Sequence, residues 1–247
     1  MASNFFAMIS RLKYIDRWAL MRNTHEENLS EHCMETACIA HALAAIGNRR
    51  FGKYYNAERA ALLGLYHDAP ETLTGDMPTP VKYKSEPLRA AYKAVEADAA
   101  HTLGALLPDA VRAGMDGYLS GGILTQKERQ LLKAADRLSA LIKCVEEENA
   151  GNREFTGARA QQTAALAARL YGEPARAMTM IGVTGTKGKT TTAHLLAAVL
   201  QADGRRVGLV GTNGVCWPGH RHDLNHTTPE SCDLQLLLRR MADDGCD

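Results

Sequence analysis

Apolar positions recur at helical spacing through the first 170 residues, and they predict a series of helices separated by capping and turn residues. Residues 4–15 read as a short helix offering Phe5, Phe6, Met8, Ile9 and Leu12 for burial. Ser30 reads as the N-cap of a second helix over 30–46, with Glu31 in its first turn and Gly47-Asn48 as its stop. Asn56 caps a third helix, 57–68, built on the run Ala61-Leu62-Leu63-Gly64-Leu65-Tyr66. Pro70 restricts Ala69, so the chain breaks there into a turn. A fourth helix, 86–107, ends before Pro108. Thr125-Gln126-Lys127-Glu128 is a capping box that opens a helix to residue 149, and an Ala-rich helix follows over 157–171. No strand pattern precedes residue 170, which predicts an all-α domain.

The pattern changes after the breaker cluster Gly172-Glu173-Pro174. Residues 178–183 read as a strand, 191–202 as a helix and 207–210 as a second strand. Between the first strand and the helix lies Gly185-Thr186-Lys187-Gly188-Lys189-Thr190, in the strand–loop–helix context that a phosphate-binding loop requires. The strict G-x-x-x-x-G-K-[ST] string is not met, because the position five before Gly188 is Val183. The expected fold is therefore mainly α: a helical bundle over 1–172, a linker over 173–177, and a partial α/β P-loop fragment over 178–247.

Composition adds limits. At 45% hydrophobic and 23% charged residues over 247 positions, the chain is that of an ordinary globular protein. A net charge of +1 makes no bulk electrostatic case for a nucleic acid polymer or a membrane surface, and no apolar run reaches the length of a membrane span. Met1-Ala2-Ser3-Asn4 has no basic region followed by an apolar core, so no secretory signal is expected. The six cysteines form no C-x-x-C. They read as reduced thiols of a cytoplasmic protein, with Cys33, Cys38 and Cys144 packed as small hydrophobes.

The chemistry concentrates in 67–82, HDAPETLTGDMPTPVK. Imidazole beside carboxylate is a ligand set for divalent first-row metals, but the His67-Asp68 doublet supplies only two ligands. His32 and Asp136 are candidates for the rest, giving H…HD…D with each piece on its own predicted helix. Singly, each also reads as an ordinary polar residue, Asp68 as a helix-terminal cap, Glu71 as a solvated acid and Asp76 as a turn former. Arg22, Lys82 and Lys133 read as solvated charges.

The ordered pattern resembles the HD-domain phosphohydrolases, and within them the bacterial 5'-deoxynucleotidases. The wording runs through Ser10-Arg11-Leu12-Lys13, Arg17-Trp18, Leu20-Met21-Arg22-Asn23, Glu27-Asn28, Ser30-Glu31-His32, 40–46, the HD stretch and Ala150-Gly151-Asn152, covering residues 4–170. The resemblance implies a divalent transition metal such as Co or Mn on His32, His67, Asp68 and Asp136. It implies proton transfer by Glu71, a phosphate clamp at Arg17, Trp18 packed on the nucleotide, and a sugar-hydroxyl contact in the turn Asp76, Met77, Pro78 and Thr79. The substrate would be a deoxyribonucleoside 5'-monophosphate and the assembly a homodimer. Pro70, directly before Glu71, is a local departure from that family's wording.

The second segment resembles the start of the ATP-binding central domain of Mur ligases. That implies Mg-ATP at a cradle of Gly185, Thr186, Lys187 and Gly188, with Lys189 on the phosphates and Thr190 on magnesium. Asn225-His226-Thr227-Thr228-Pro229-Glu230 is similar to those ligases' substrate segment, through Thr227 and Thr228. The resemblance stops at Asp247, so a tail that is poorly packed or leans on the helical domain, with weak or absent ATP binding, is expected. Two further functions stand beside the nucleotidase: an ATP-dependent Mur-type ligase, and a non-catalytic nucleotide-sensing HD module.

Overall fold

The structure, a computed structural model, describes residues 4–82, 84–223 and 229–247. Contacts divide the chain into two units, Met1–Arg159 and Ala160–Asp247.

The first unit is helical: α1 (Phe5–Ile9), continued by a 3-10 turn over Ser10–Tyr14, then α2 (Leu29–Phe51), α3 (Ala57–Tyr66), α4 (Glu71–Thr74), α5 (Thr79–Lys82), α6 (Glu86–Ala105), α7 (Asp109–Ser120) and α8 (Gln126–Asn149). Helix α2 packs on both α3 and α8. Small residues make this close: Ala40, Ala44, Ala60 and Ala135 share a core cluster with Leu131. A Cβ at Gly64 would stand 2.7 Å from the Ala37 Cα, so only glycine lets α2 and α3 meet at that point. This close packing brings the start of α2, the end of α3 and the middle of α8 to one place. A second cluster, Phe5, Ala69, Leu103, Leu107 and Leu119, holds α1, α6 and α7 beside the turn that follows α3.

Several sequence expectations are corrected. The N-cap of α2 is Asn28 rather than Ser30, and it forms a reciprocal capping box with Glu31. The helix runs through Gly47-Asn48 to Phe51 because both residues find a tertiary partner. Gly47 leaves room for the Tyr55 ring, and the Asn48 side chain bonds the Tyr55 backbone N–H and carbonyl. Gly52, at φ 58°, ends it instead. Helix α7 is additional to the expected set, and 10–14 is 3-10 rather than α. Phe6 points outward at 69% exposure, as does Cys38.

In the second unit, residues 178–183 form no strand. Instead β1 (Leu209–Gly211), β2 (Gly214–Trp217) and β3 (His220–His222) make an antiparallel sheet in that order. Thr212-Asn213 closes β1 on β2 through a two-residue turn, and this local pairing costs far less loop entropy than a crossover to 178–183. Helix α9 (Thr156–Leu170) carries the chain into this unit, which also holds α10 (Lys189–Ala202) and α11 (Ser231–Asp243). The sheet and α11 share a core of Val215, Trp217, Leu237, Leu238, Met241 and Cys246, so the expected poor packing does not apply to them. It does apply to α10, which buries no residue fully and leaves Leu195 and Val199 exposed. Among the described residues, no helix is long and apolar enough to cross a membrane.

Candidate active site

Helix α3 ends at His67, and the chain turns through Asp68, Ala69 and Pro70 before α4 begins at Glu71. The His67 Nδ1–H donates to the Gly64 carbonyl at 2.8 Å, which aims Nε2 away from the helix. His32, one turn into α2, is completely buried. Its Nε2 lies 3.6 Å from Asp68 Oδ2 and 3.3 Å from Asp136 Oδ1, while His67 Nε2 lies 3.1 Å from Asp68 Oδ2. His32, His67 and Asp68 present ligand atoms within 4.8 Å of one another. Both Nε2 atoms are buried, and neither makes a hydrogen bond among the described residues. Two orphaned imidazole nitrogens converging with two carboxylates fit a divalent cation, whose ligands they would become.

The charges agree. Burial opposes a charged His67, but Asp68 outweighs it and raises the imidazole well above its ordinary range. Burial likewise opposes the Asp68 carboxylate, yet His67, His32 and Arg17 pull its pKa well down. Asp136 is lowered against its own burial, mainly by His32. Glu71 behaves oppositely. Burial, with Asp68 and Asp76 nearby, pushes it up to about 9, and its buried Oε2 makes no hydrogen bond among the described residues.

Arg17 and Trp18 reach the site from the segment before α2, tied down by Arg17 N–H to the Glu27 carbonyl at 2.8 Å and Leu29 N–H to the Ile15 carbonyl at 2.9 Å. Arg17 Nη1 stands 2.9 Å from His32 Nδ1. Asp76, Met77 and Pro78, between α4 and α5, are half-buried, and Thr79, the first residue of α5, is exposed. Burial raises Asp76 while Arg17 opposes that shift, so the two side chains sense each other across the site. The structure thus gathers Arg17, Trp18, His32, His67, Asp68, Glu71, Asp76 and Asp136. Lys82 is not a solvated charge: it pairs with Glu96 at 2.5 Å over the Tyr92 ring.

In the second unit, Gly185, Thr186 and Lys187 form a bend before Gly188, which takes φ 78° as the residue before α10. Lys189 Nζ donates to the Gly185 carbonyl at 2.6 Å, closing the loop on itself, and Thr190 is in the first turn of the helix. Thr227 and Thr228 lie outside the described residues.

Sequence reasoning gave Glu27 no role of its own. It is buried, and its Oε2 accepts from both Arg17 Nη1 and Trp18 Nε1 at 2.8 Å. It also missed Ser139 and Glu35, which stand behind His32. Spacing was the available signal, since Ser139 follows Asp136, and Glu35 follows His32, by the three residues that share a helix face. Glu27→Gln keeps an acceptor but removes the charge from both bonds. Charge-assisted bonds exceed neutral ones by about 1–1.5 kcal/mol, so kcat/KM of any reaction that uses the Arg17 guanidinium should fall about 10-fold. Steady-state kinetics beside cation titration checks this, and a loss confined to cation affinity contradicts it.

Residues 4–177 match the family described as 5'-deoxynucleotidase YfbR-like, and residues 183–247 match the Mur ligase middle domain. A 5'-deoxynucleotidase of Klebsiella pneumoniae is 48% identical over 171 residues, covering 69% of this chain and 86% of that protein. The 5'-deoxynucleotidase YfbR of Shigella dysenteriae serotype 1 is 50% identical over 167 residues, covering 68% of this chain and 84% of that one. The crystal structure of an HD-domain phosphohydrolase from Listeria innocua shares the fold, with a TM-score of 0.61 at 22% identity over 81% of this chain and 87% of that one.

Proposed function

The chain belongs to the YfbR-like 5'-deoxynucleotidase family through residues 4–177, and we infer from this premise that it hydrolyses deoxyribonucleoside 5'-monophosphates to deoxynucleoside and phosphate. The observation that carries the reading is the convergence of the unbonded Nε2 atoms of His32 and His67 with Asp68 and Asp136, beside Glu71 and Arg17. His32, His67, Asp68 and Asp136 would hold a divalent transition cation such as Co, Mn or a similar ion, which would supply a water activated at neutral pH and polarisation of the phosphoryl oxygens. Arg17, braced by Glu27, offers its remaining N–H groups to the phosphate and sets the phosphorus in line for attack. Glu71, buried beside Asp68, is placed to hand a proton to the 5' oxygen as the P–O bond breaks and to take one back from the water consumed. Trp18, whose ring packs at a 58° tilt against Phe155 with centroids 5.3 Å apart, would offer a flat face to the nucleotide.

Phosphate release from a panel of deoxy- and ribonucleoside monophosphates, with Co, Mn, Mg or no cation, tests the reading. Equal turnover with and without cation would overturn it. Within that panel, Asp76 and the turn to Thr79 would contact a sugar hydroxyl. Losing that contact leaves the sugar hydroxyl without its partner, so Asp76→Ala should lower kcat/KM for deoxynucleotides about 10- to 100-fold and narrow the deoxy/ribo gap. An unchanged ratio would leave Asp76 as a turn former.

We assign residues 1–172 to the nucleotidase, 173–177 to a linker and 178–247 to the ligase-like segment. Free thiols at all six cysteines support a reducing, cytoplasmic setting, and the family resemblance supports a homodimer. In the ligase-like segment the ammonium of Lys189 is spent on its own loop. ATP binding should therefore be weak or absent, and deletion after Gly172 should leave nucleotidase activity largely intact. Calorimetry with Mg-ATP checks the first point; micromolar binding abolished by Lys189→Ala would show a working phosphate loop.

A further inference from the structure

Behind His32, on the side away from the carboxylates, two side chains are unused by the mechanism above. Ser139 on α8 is completely buried, with its Oγ 3.0 Å from His32 Nδ1. Its hydroxyl donates to Glu35 Oε2, on α2, at 2.5 Å. Arg17 Nη1 approaches the same Nδ1 at 2.9 Å. A guanidinium only donates, so the Arg17 contact uses the Nδ1 lone pair and puts the ring proton on Nε2, toward Asp68 and Asp136. A cation needs the opposite tautomer, with the lone pair on Nε2 and the proton on Nδ1. The two arrangements exclude each other.

Among the described residues, Ser139 Oγ is the acceptor within reach of the Nδ1 proton. Because the Ser139 hydroxyl proton is committed to Glu35, an oxygen lone pair faces His32. His67 needs no such device, since its Nδ1 meets the Gly64 carbonyl, which can only accept. We propose that Glu35 and Ser139 are a positioning pair that selects the cation-binding tautomer of His32 and displaces Arg17 from Nδ1 when a cation is bound. Arg17 then rests on Glu27 alone, and the N–H that had been turned to His32 becomes available to phosphate. Metal-bound imidazoles commonly donate their second N–H to a carboxylate; here a serine hydroxyl is interposed. The inference rests on the reading of His32 as a cation ligand.

The test is calorimetry of Co(II) alone on the full chain. The native protein should bind it and Asp136→Asn should not. Ser139→Ala should weaken binding about 10- to 100-fold, the usual effect of removing an outer hydrogen-bond partner. Glu35→Ala should weaken it by a similar or smaller factor. Ser139→Ala with Glu35→Ala should be no weaker than Ser139→Ala alone, because Glu35 acts only through the hydroxyl. Side-chain nitrogen NMR should show the His32 ring proton on Nε2 in the cation-free native protein; with diamagnetic Zn(II) bound, it should show a hydrogen-bonded Nδ1–H that is lost or shifted in Ser139→Ala, which a packing role would not produce. Equal Co(II) affinity in Ser139→Ala, or additive losses in the double variant, would overturn the positioning pair. Failure of the native protein to bind Co(II), or undiminished binding by Asp136→Asn, would overturn the ligand assignment instead.

Discussion

Asp136→Asn should abolish cation binding and reduce nucleotidase activity by about three orders of magnitude or more, with the helical fold retained. The amide keeps the shape of the carboxylate and removes its charge. Asp136 sits on α8 with its side chain 39% exposed, so no packing is lost. Its Oδ1 is 3.3 Å from His32 Nε2, and His32 and His67 together hold its pKa down against its burial. A catalytic cation contributes several kcal/mol to stabilising charge in the transition state. At about 1.4 kcal/mol per decade of rate, its loss gives the stated factor. Asp68→Asn should behave alike, since Asp68 faces both histidines. Metal analysis, circular dichroism and phosphate release on the same preparations decide the matter. Full activity in metal-stripped native protein would remove the cation from the mechanism altogether.

Local signals made much of this site legible. Asn56 and the Thr125–Glu128 box start their helices as read, because each caps an orphan N–H within three residues. Pro70 breaks the chain as read, because the constraint on its neighbour is covalent geometry. Those three signals alone place His67, Asp68 and Asp136. What escaped notice depends on partners remote in sequence. Asn48 looks like a helix stop until Tyr55 takes up its side chain. Helix α7 carries Gly114 and Gly117 in twelve residues, a poor helix former by propensity, and it is held by packing of Leu119 into the core. The segment 178–183 has strand composition but makes no ladder, because β1 finds its partner in the hairpin next to it. The role of Glu27 escaped for the same reason, since a carboxylate before a helix says nothing about which two side chains will converge on one of its oxygens.

Glu147→Gln should lower stability by about 3–5 kcal/mol, the cost of breaking a buried ion pair from one side. Glu147 and Lys143 are a turn apart on α8, both almost fully buried and 2.5 Å from each other. The Glu147 carboxylate also accepts from the backbone N–H groups of Thr24 and His25, from the Thr24 hydroxyl and from Asn152 Nδ2, while Lys143 donates to the His25 carbonyl. One carboxylate therefore ties the segment after Trp18 to α8 and to the turn after it. Lys143→Met should cost less than Glu147→Gln, because it leaves the carboxylate its other donors, whereas the amide leaves an ammonium buried without a counter-charge. Burial works to raise the Glu147 carboxyl, but Lys143, Thr24 and Asn152 outweigh it and hold its pKa well below the carboxylate range. The sign follows from that depression. The stabilisation is complete above the unfolded-state value of about 4.3 and is lost as pH falls below it toward the folded value. The stability gap between native and Glu147→Gln protein should thus be widest at neutral pH and close progressively below about pH 4. Urea melts followed by circular dichroism across that range measure it, and a gap that does not change with pH would mean that Glu147 is not ionised in the folded chain. Because the tethered segment carries Arg17 and Trp18, KM for nucleotide should rise in the same variant at neutral pH, before any loss of the folded state.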